Sequence, residues 1–237
     1  KDVAEEVLAD IESVHVTGNN PQVMCHAAYW KSFYEAHQKA GSAREMLEGV
    51  EPFLSLCGSD ERGATLLSLV ADDGSAEIEL RIRCYRRLAK DYPNTHQGRF
   101  AQGMIHRIEG IGKPFVLSFR DAVSGREVST KDLHGKVVVI DFWATTCVPC
   151  VAEVPRLKKL YEQYHDRGVE FIGVSLDESE EQGGRRALLD FVKNKQLTWP
   201  QFYQGNGYDS EFSRSWGVGS APTMFLIDRR GILRSID

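Results

Sequence analysis

Two thiols two residues apart, in the run Cys147-Val148-Pro149-Cys150, are the side chains of this sequence best placed to do chemistry. That spacing lets one sulfur reach the other across a helical turn. It allows either a reversible disulfide or half of a metal site. A structural zinc needs two further ligands. His134 and the isolated Cys25, Cys57 and Cys84 supply no second pair at a ligand spacing, so the residues argue against a metal. Two acids stand close by in sequence. Asp141 interrupts an apolar run, where an ionised carboxylate is expensive to bury. Its pKa is therefore expected to rise, which would let it take the Cys150 proton directly or through a water. Glu153 follows Cys150 by three residues and reads either as a second acid for that task or as an exposed helix carboxylate.

These groups sit where one kind of pattern gives way to another. The β-branched run Val137 to Ile140 reads as a buried strand. After the cysteines, Val151, Val154, Leu157, Leu160 and Tyr161 recur at spacings of three and four, which predicts a helix to about His165. The thiols thus lie at a helix N-terminus, whose free N–H groups and dipole favour an anion. Cys147 is expected to ionise readily and act as the nucleophile, with Cys150 as the more buried resolving thiol. Pro149 fits there because the first helical turn does not use its missing N–H.

The rest of the chain divides in two. Residues 1 to 111 show almost no strand signal. Apolar periodicities predict helices around Val3 to Val14, Met24 to His37, Met46 to Phe53, Ala64 to Val70, Ile78 to Leu88 and Thr95 to Ile111, paired as antiparallel hairpins. Ser59-Asp60 reads as an N-cap and Tyr92-Pro93 as a helix stop. Beyond Gly112-Lys113-Pro114, a hairpin is expected from Phe115 to Ser129 around Ser124-Gly125, then a helical turn ended by Gly135. Strands follow at Val169–Ser175 and Thr223–Ile227, with a helix at Ala187 to Lys193, an extended piece at Trp199 to Tyr203, a helical turn at Phe212 to Trp216, and a last hairpin strand to Ile236.

At 237 residues, with 42% hydrophobic and 27% charged residues, the composition is that of a globular protein. A net charge of −5 without a basic run speaks against a nucleic-acid partner. No stretch approaches the roughly 20 apolar residues needed to span a membrane. The chain opens on Lys1 rather than Met, as a processed or trimmed chain would. Five cysteines are too few and too scattered for a disulfide scaffold, and Cys25, Cys57 and Cys84 read as inert, buried apolar residues. The acidic run Asp177-Glu178-Ser179-Glu180-Glu181 reads as a solvated face.

Asp141-Phe142-Trp143-Ala144 ahead of Cys-x-Pro-Cys resembles the signature of the thioredoxin superfamily, and Pro155 matches the proline that kinks its active-site helix. Val218-Gly219-Ser220-Ala221-Pro222-Thr223, followed by Phe225-Leu226-Ile227-Asp228, is similar to the segment that carries the superfamily's cis-proline. The hairpin, the Leu133-His134-Gly135-Lys136 lead-in and Glu153 resemble the TlpA/ResA-like thiol–disulfide oxidoreductases. So does the insertion of about 25 to 30 residues before the proline loop, longer than a compact domain usually allows. The resemblance covers residues 112–237. It implies an α/β thioredoxin fold, a mixed central sheet flanked by helices, preceded by an all-α helical-hairpin domain at 1–111. It further implies Cys147, Cys150, Asp141 and Glu153 as catalytic residues, and a groove for an extended substrate chain at Ala221, cis-Pro222 and Thr223. Trp143, Thr146, Val148 and Pro149 would complete the groove around the disulfide, Trp143 chiefly from beneath the turn. The redox-active disulfide would be the sole redox group, with no cofactor. Partners would be protein thiols or disulfides and a redox protein that donates or accepts electrons, in an extracytoplasmic (periplasmic or membrane-anchored) setting.

Three features depart from that pattern. Thr146 stands where most relatives carry Trp, which opens the question of substrate preference. Relatives continue past the position of Asp237 into a final helix, so the domain is expected to lack it. The helical half is an addition, and Cys84 to Thr95 with Arg99 to Gly103 resembles one tetratricopeptide-type repeat. Such helices either only cover apolar surface or dock a protein partner. Two other functions compete with the oxidoreductase reading. A peroxiredoxin-like peroxide reductase would want Thr three residues before the reactive cysteine, where Ala144 stands. A non-catalytic helical docking module would carry the cysteine pair as a vestige.

Overall fold

The computed structural model describes residues 20–237, Lys39 by its backbone alone. The helix expected around Val3 to Val14 lies outside the described residues. The chain forms two compact units, Lys1–Ile105 and His106–Asp237.

The first unit is helical: α1 Pro21–Tyr34, continued by a π turn at Glu35–Lys39, then α2 Ala43–Leu56, α3 Arg62–Ala71, α4 Ile78–Asp91 and α5 His96–Gly110. Helix α5 gives its last turn to the second unit, so the division falls six residues before the composition break at Gly112. Side chains spaced three and four apart meet in one core: Val50, Phe53, Leu66, Leu67, Val70 and Leu88 are wholly buried. Caps set the helix starts. Asn20 accepts from Gln22 N–H and Ser42 from Glu45 N–H. The cap of α3 is instead Glu61, one residue beyond the expected Ser59-Asp60, with no side-chain cap bond. Asp60 Oδ1 accepts from Arg62 N–H from just before it. Between α4 and α5 the chain turns so tightly that a Cβ on Gly98 would stand 1.9 Å from the Tyr92 carbonyl oxygen. Only glycine fits there.

Two of the three isolated cysteines are not inert. Cys25, near the start of α1, is bridged to Cys57, the C-cap of α2. The packing of these two helices brings one's start beside the other's end. That meeting crosses 32 residues of sequence, so no local spacing announces it. Cys84 does remain a free, wholly buried thiol, pushed up to about 11 by burial. Cross-linking a loop of this length restricts the unfolded chain and stabilises the fold by about 3 to 4 kcal/mol. Cys57→Ser is therefore expected to lower the melting temperature of the helical signal in circular dichroism. A melt matching that of the unaltered protein would show that the bridge imposes no such constraint.

The second unit is built on β1 Ser118–Arg120, β2 Glu127–Ser129, β3 Val137–Trp143, α6 Val148–Tyr164, β4 Val169–Ser175, α7 Gly184–Lys195, β5 Gln201–Tyr203, α8 Glu211–Ser215, β6 Thr223–Ile227 and β7 Leu233–Ile236. Strands β1 and β2 form a small antiparallel hairpin, while the main sheet has the order β5-β4-β3-β6-β7. β3, β4 and β5 run parallel, and β6 and β7 are antiparallel to them. This is the mixed sheet of the thioredoxin fold. Alternation along β3 sends Val138, Ile140 and Phe142 to one face, where they join Phe115, Trp216, Phe225, Ile227 and Leu233. Trp143 goes to the other, with Cys150, Val154 and Leu157 of α6 and Leu188 and Val192 of α7. Asp141, two residues before Trp143, shares that second face. His106, from the last turn of α5, stacks on Trp216 with ring centroids 4.1 Å apart.

Candidate active site

Strand β3 delivers the chain to the edge of the sheet, and the next four residues turn it into α6. Cys147 N–H donates to the Ala144 carbonyl at 3.1 Å, which closes the turn. Cys147 is then the N-cap of α6, its sulfur accepting from Cys150 N–H at 3.2 Å, with Pro149 in the first turn. The two sulfurs are joined, their Cα atoms 5.3 Å apart. They differ in access: Cys147 is half-buried and Cys150 is buried. Beside them Thr146 and Pro149 are exposed, and Val148 is 79% exposed, the most exposed large apolar residue described.

Asp141 lies below the pair on the same face of the sheet as Cys150, only 6% exposed. Burial, and to a smaller degree the neighbouring charge of Glu153, push its carboxyl up to about 7. Glu153 itself is partly exposed on α6 and pairs with Arg156 at 3.3 Å. Helix α6 continues past Pro155 to Tyr164.

On the other side of β3, Thr223 of β6 stands opposite Phe142. Pro222, one residue earlier, therefore falls level with Trp143, at the end of β3 from which the cysteine turn emerges. The Ala221–Pro222 peptide is cis. Ala221 and Cys147 each pack against both cores, and Pro222 is exposed. Thr223 offers only its backbone, since its side chain is buried and donates to the Ser220 carbonyl at 3.0 Å. Trp143 is 3% exposed, which corrects its place among the groove residues. It supports the turn from beneath, its indole N–H donating to Gln201 Oε1 at 3.1 Å and its ring packing on Phe191. Gln201 is wholly buried, and it lies so close to Gly173 that a Cβ there would stand 2.2 Å from its oxygen.

The acidic run after β4 needs one correction. Glu178, Glu180 and Glu181 face solvent, but Asp177 is 5% exposed. Its carboxylate accepts from the Thr145 N–H and hydroxyl at 2.9 and 2.6 Å, two residues before Cys147. Composition hid this residue among surface acids. Topology would have found it, because parallel β3 and β4 end side by side, with Trp143 opposite Ser175. Among the described residues, no group of three or more His, Cys, Asp or Glu could hold a metal ion.

With this geometry in view, comparisons with known proteins point one way. Residues 112–237 match the family model described as Redoxin. The chain is 37% identical over 136 residues to the thiol-disulfide oxidoreductase ResA of Bacillus cereus (strain ATCC 10987 / NRS 248), spanning 57% of this chain and 72% of that protein. It is 34% identical over 136 residues to the protein of the same name from Bacillus anthracis, with the same shares covered. The solved thioredoxin domain of a thiol-disulfide oxidoreductase from Bacteroides vulgatus is similar over 54% of this chain and 87% of that one, at 27% identity and a TM-score of 0.45.

Proposed function

This chain belongs to the redoxin family, as a TlpA/ResA-like thiol–disulfide oxidoreductase, and from that membership we propose that Cys147 and Cys150 together reduce disulfides of protein substrates. The observation that carries the assignment of roles is the asymmetry of the two sulfurs. Cys147 caps a helix and is half-exposed, whereas Cys150 is buried on the face it shares with Asp141. In the reduced protein the Cys147 thiolate attacks one sulfur of the substrate disulfide. A mixed disulfide forms and one substrate thiolate leaves, taking a proton from solvent. Asp141 then accepts the Cys150 proton, and the Cys150 thiolate attacks the Cys147 sulfur. The second substrate thiolate departs, and the Cys147–Cys150 disulfide now holds the oxidation the substrate has lost. A dithiol redox protein would return the pair to its reduced form. Glu153, by its charge, helps hold Asp141 in the range where it can exchange a proton near neutrality.

The groove for the substrate chain would run between Thr146, Val148 and Pro149 on one side and Ala221, Pro222 and the Thr223 backbone on the other. Its walls are uncharged, which suits an extended segment with small or apolar residues beside its cysteine. An extracytoplasmic site of action, where disulfides form and persist, fits this chemistry. No described helix is long and apolar enough to cross a membrane.

Trapping tests the roles. Reduced Cys150→Ser protein, mixed with insulin, is expected to accumulate a mixed disulfide through Cys147, because nothing resolves it. Accumulation through Cys150 in the Cys147→Ser protein instead would reverse the assignment. Ala144 offers no hydroxyl to a peroxide, so hydrogen peroxide should persist in the presence of the reduced protein.

A further inference from the structure

The reactive turn has an anchor that the exchange chemistry described above does not use. Asp177 lies two residues past the end of β4, and its carboxylate is satisfied from three sides. Oδ1 takes the backbone N–H and the hydroxyl of Thr145, at 2.9 and 2.6 Å, and Oδ2 takes the Ser175 hydroxyl at 2.8 Å. The backbone around it is fixed as well. Leu176 N–H donates to the Trp143 carbonyl at 2.7 Å, and the Asp177 carbonyl accepts from Gly207 N–H at 3.2 Å. A carboxylate is costly to bury, and its usual compensation is a cation. Here the compensation comes from hydroxyl and amide donors, two of them on the segment that leads into Cys147. Within the turn, Cys147 N–H is tied back to the Ala144 carbonyl, and Thr145 is the residue whose donors reach outward, to Asp177.

We propose that Asp177 is a positioning residue for thiol–disulfide exchange, which holds the Ala144–Cys147 turn through Thr145 so that the Cys147 sulfur stays seated on the N-terminus of α6. The physical consequence is electrostatic. A thiolate gains from the free N–H groups of the first helical turn only while it lies against them, as it does now against Cys150 N–H at 3.2 Å. A turn released from Asp177 lets the sulfur leave that seat, and the thiol form then gains population. The carboxylate's own negative charge works against a thiolate, so the benefit of Asp177 lies in its bonds rather than its charge. An asparagine can reproduce those bonds: its oxygen accepts from Thr145, and its amide donates to the Ser175 hydroxyl.

The inference rests on Cys147 being the attacking sulfur. A failure of that premise would appear first, as preferential alkylation of Cys150 in the otherwise unaltered reduced protein. Given the premise, the test compares Asp177→Ala, Asp177→Asn and Thr145→Val. Two readings are taken on each: the pH midpoint of Cys147 alkylation by iodoacetamide, and kcat/KM for insulin reduction, both well below each variant's melting temperature. The Ala variant is expected to raise the alkylation midpoint and lower kcat/KM about tenfold, a loss of about 1.4 kcal/mol. Thr145→Val should move both in the same direction by less, because the backbone N–H bond survives. Asp177→Asn should stay within about threefold of the unaltered protein, which corresponds to under 1 kcal/mol. Two outcomes would overturn the proposal. Equal losses in the Asn and Ala variants would make the charge, not the bonds, the active property. A lower melting temperature in the Ala variant, with midpoint and kcat/KM unchanged, would make the residue purely structural.

Discussion

Cys147→Ser should cost insulin reduction at least about a thousandfold, because a reaction step is lost and not merely weakened. A serine hydroxyl at this position is neither ionised near neutral pH nor able to form the mixed disulfide. Cys150 cannot substitute, being buried in the α6 face of the core, where a substrate disulfide does not reach it. Cys150→Ser should fail differently. It retains the first attack and stops there, so it shows a stoichiometric burst of one substrate bond followed by no turnover. The pair of variants therefore separates nucleophile from resolver in one experiment: a burst from Cys147→Ser, or steady turnover from either variant, would contradict the mechanism.

Asp141→Asn should have the second-largest effect, and it is best seen against pH. In the folded protein the Asp141 carboxyl is pushed up to about 7 from an ordinary 3.8. Between those values the folded chain holds a proton that the unfolded chain has released. The stability this gives is fully present below about pH 4 and is lost as pH rises through about 7. A shift of this size corresponds to roughly 4 kcal/mol between the two plateaus. The native protein should thus need less urea to unfold at pH 8 than at pH 5, and the Asn variant should lack this part of the pH dependence. Catalysis should change in step. Without a proton acceptor, resolution of the mixed disulfide should slow by about a hundredfold near neutral pH. Parallel urea midpoints for the two proteins from pH 5 to 8 would show that Asp141 carries no such proton.

The local parts of this structure were legible because each is written in its own residues. Val169–Ser175 and Thr223–Ile227 form strands over the ranges that their β-branched and aromatic runs predict. The junction at Cys147 is equally local, an apolar strand meeting a helical period, and the cis peptide before Pro222 follows from a recognisable segment. The Cys25–Cys57 bridge and the Thr145–Asp177 bonds were not legible, and for a shared reason. Each joins residues 32 apart, and periodicity reports which face of an element is apolar, not which element comes to meet it. Composition even misled at Asp177, since a carboxylate among three acidic neighbours looks like surface until the ends of β3 and β4 are set side by side. Trp143 shows the same limit. It was expected chiefly beneath the turn and lies there, but the partner that holds it, Gln201, is 58 residues away and was not legible.

The bridge in the helical unit has a consequence for the chemistry of the whole molecule. In the proposed reaction the Cys147–Cys150 pair donates electrons to disulfides, and the first unit itself carries a disulfide, Cys25–Cys57. Linkage makes the relation between bond and fold reciprocal: if the Cys25–Cys57 bond stabilises the folded unit by about 3 to 4 kcal/mol, the fold stabilises the bond by the same amount. For a two-electron couple this lowers the potential of the bridge by roughly 80 mV relative to the same bond in an unfolded chain. Folding thus makes this bridge a poorer substrate for thiol–disulfide exchange than the same bond in an unfolded chain, and the same rule sets finished proteins apart from those still to be corrected.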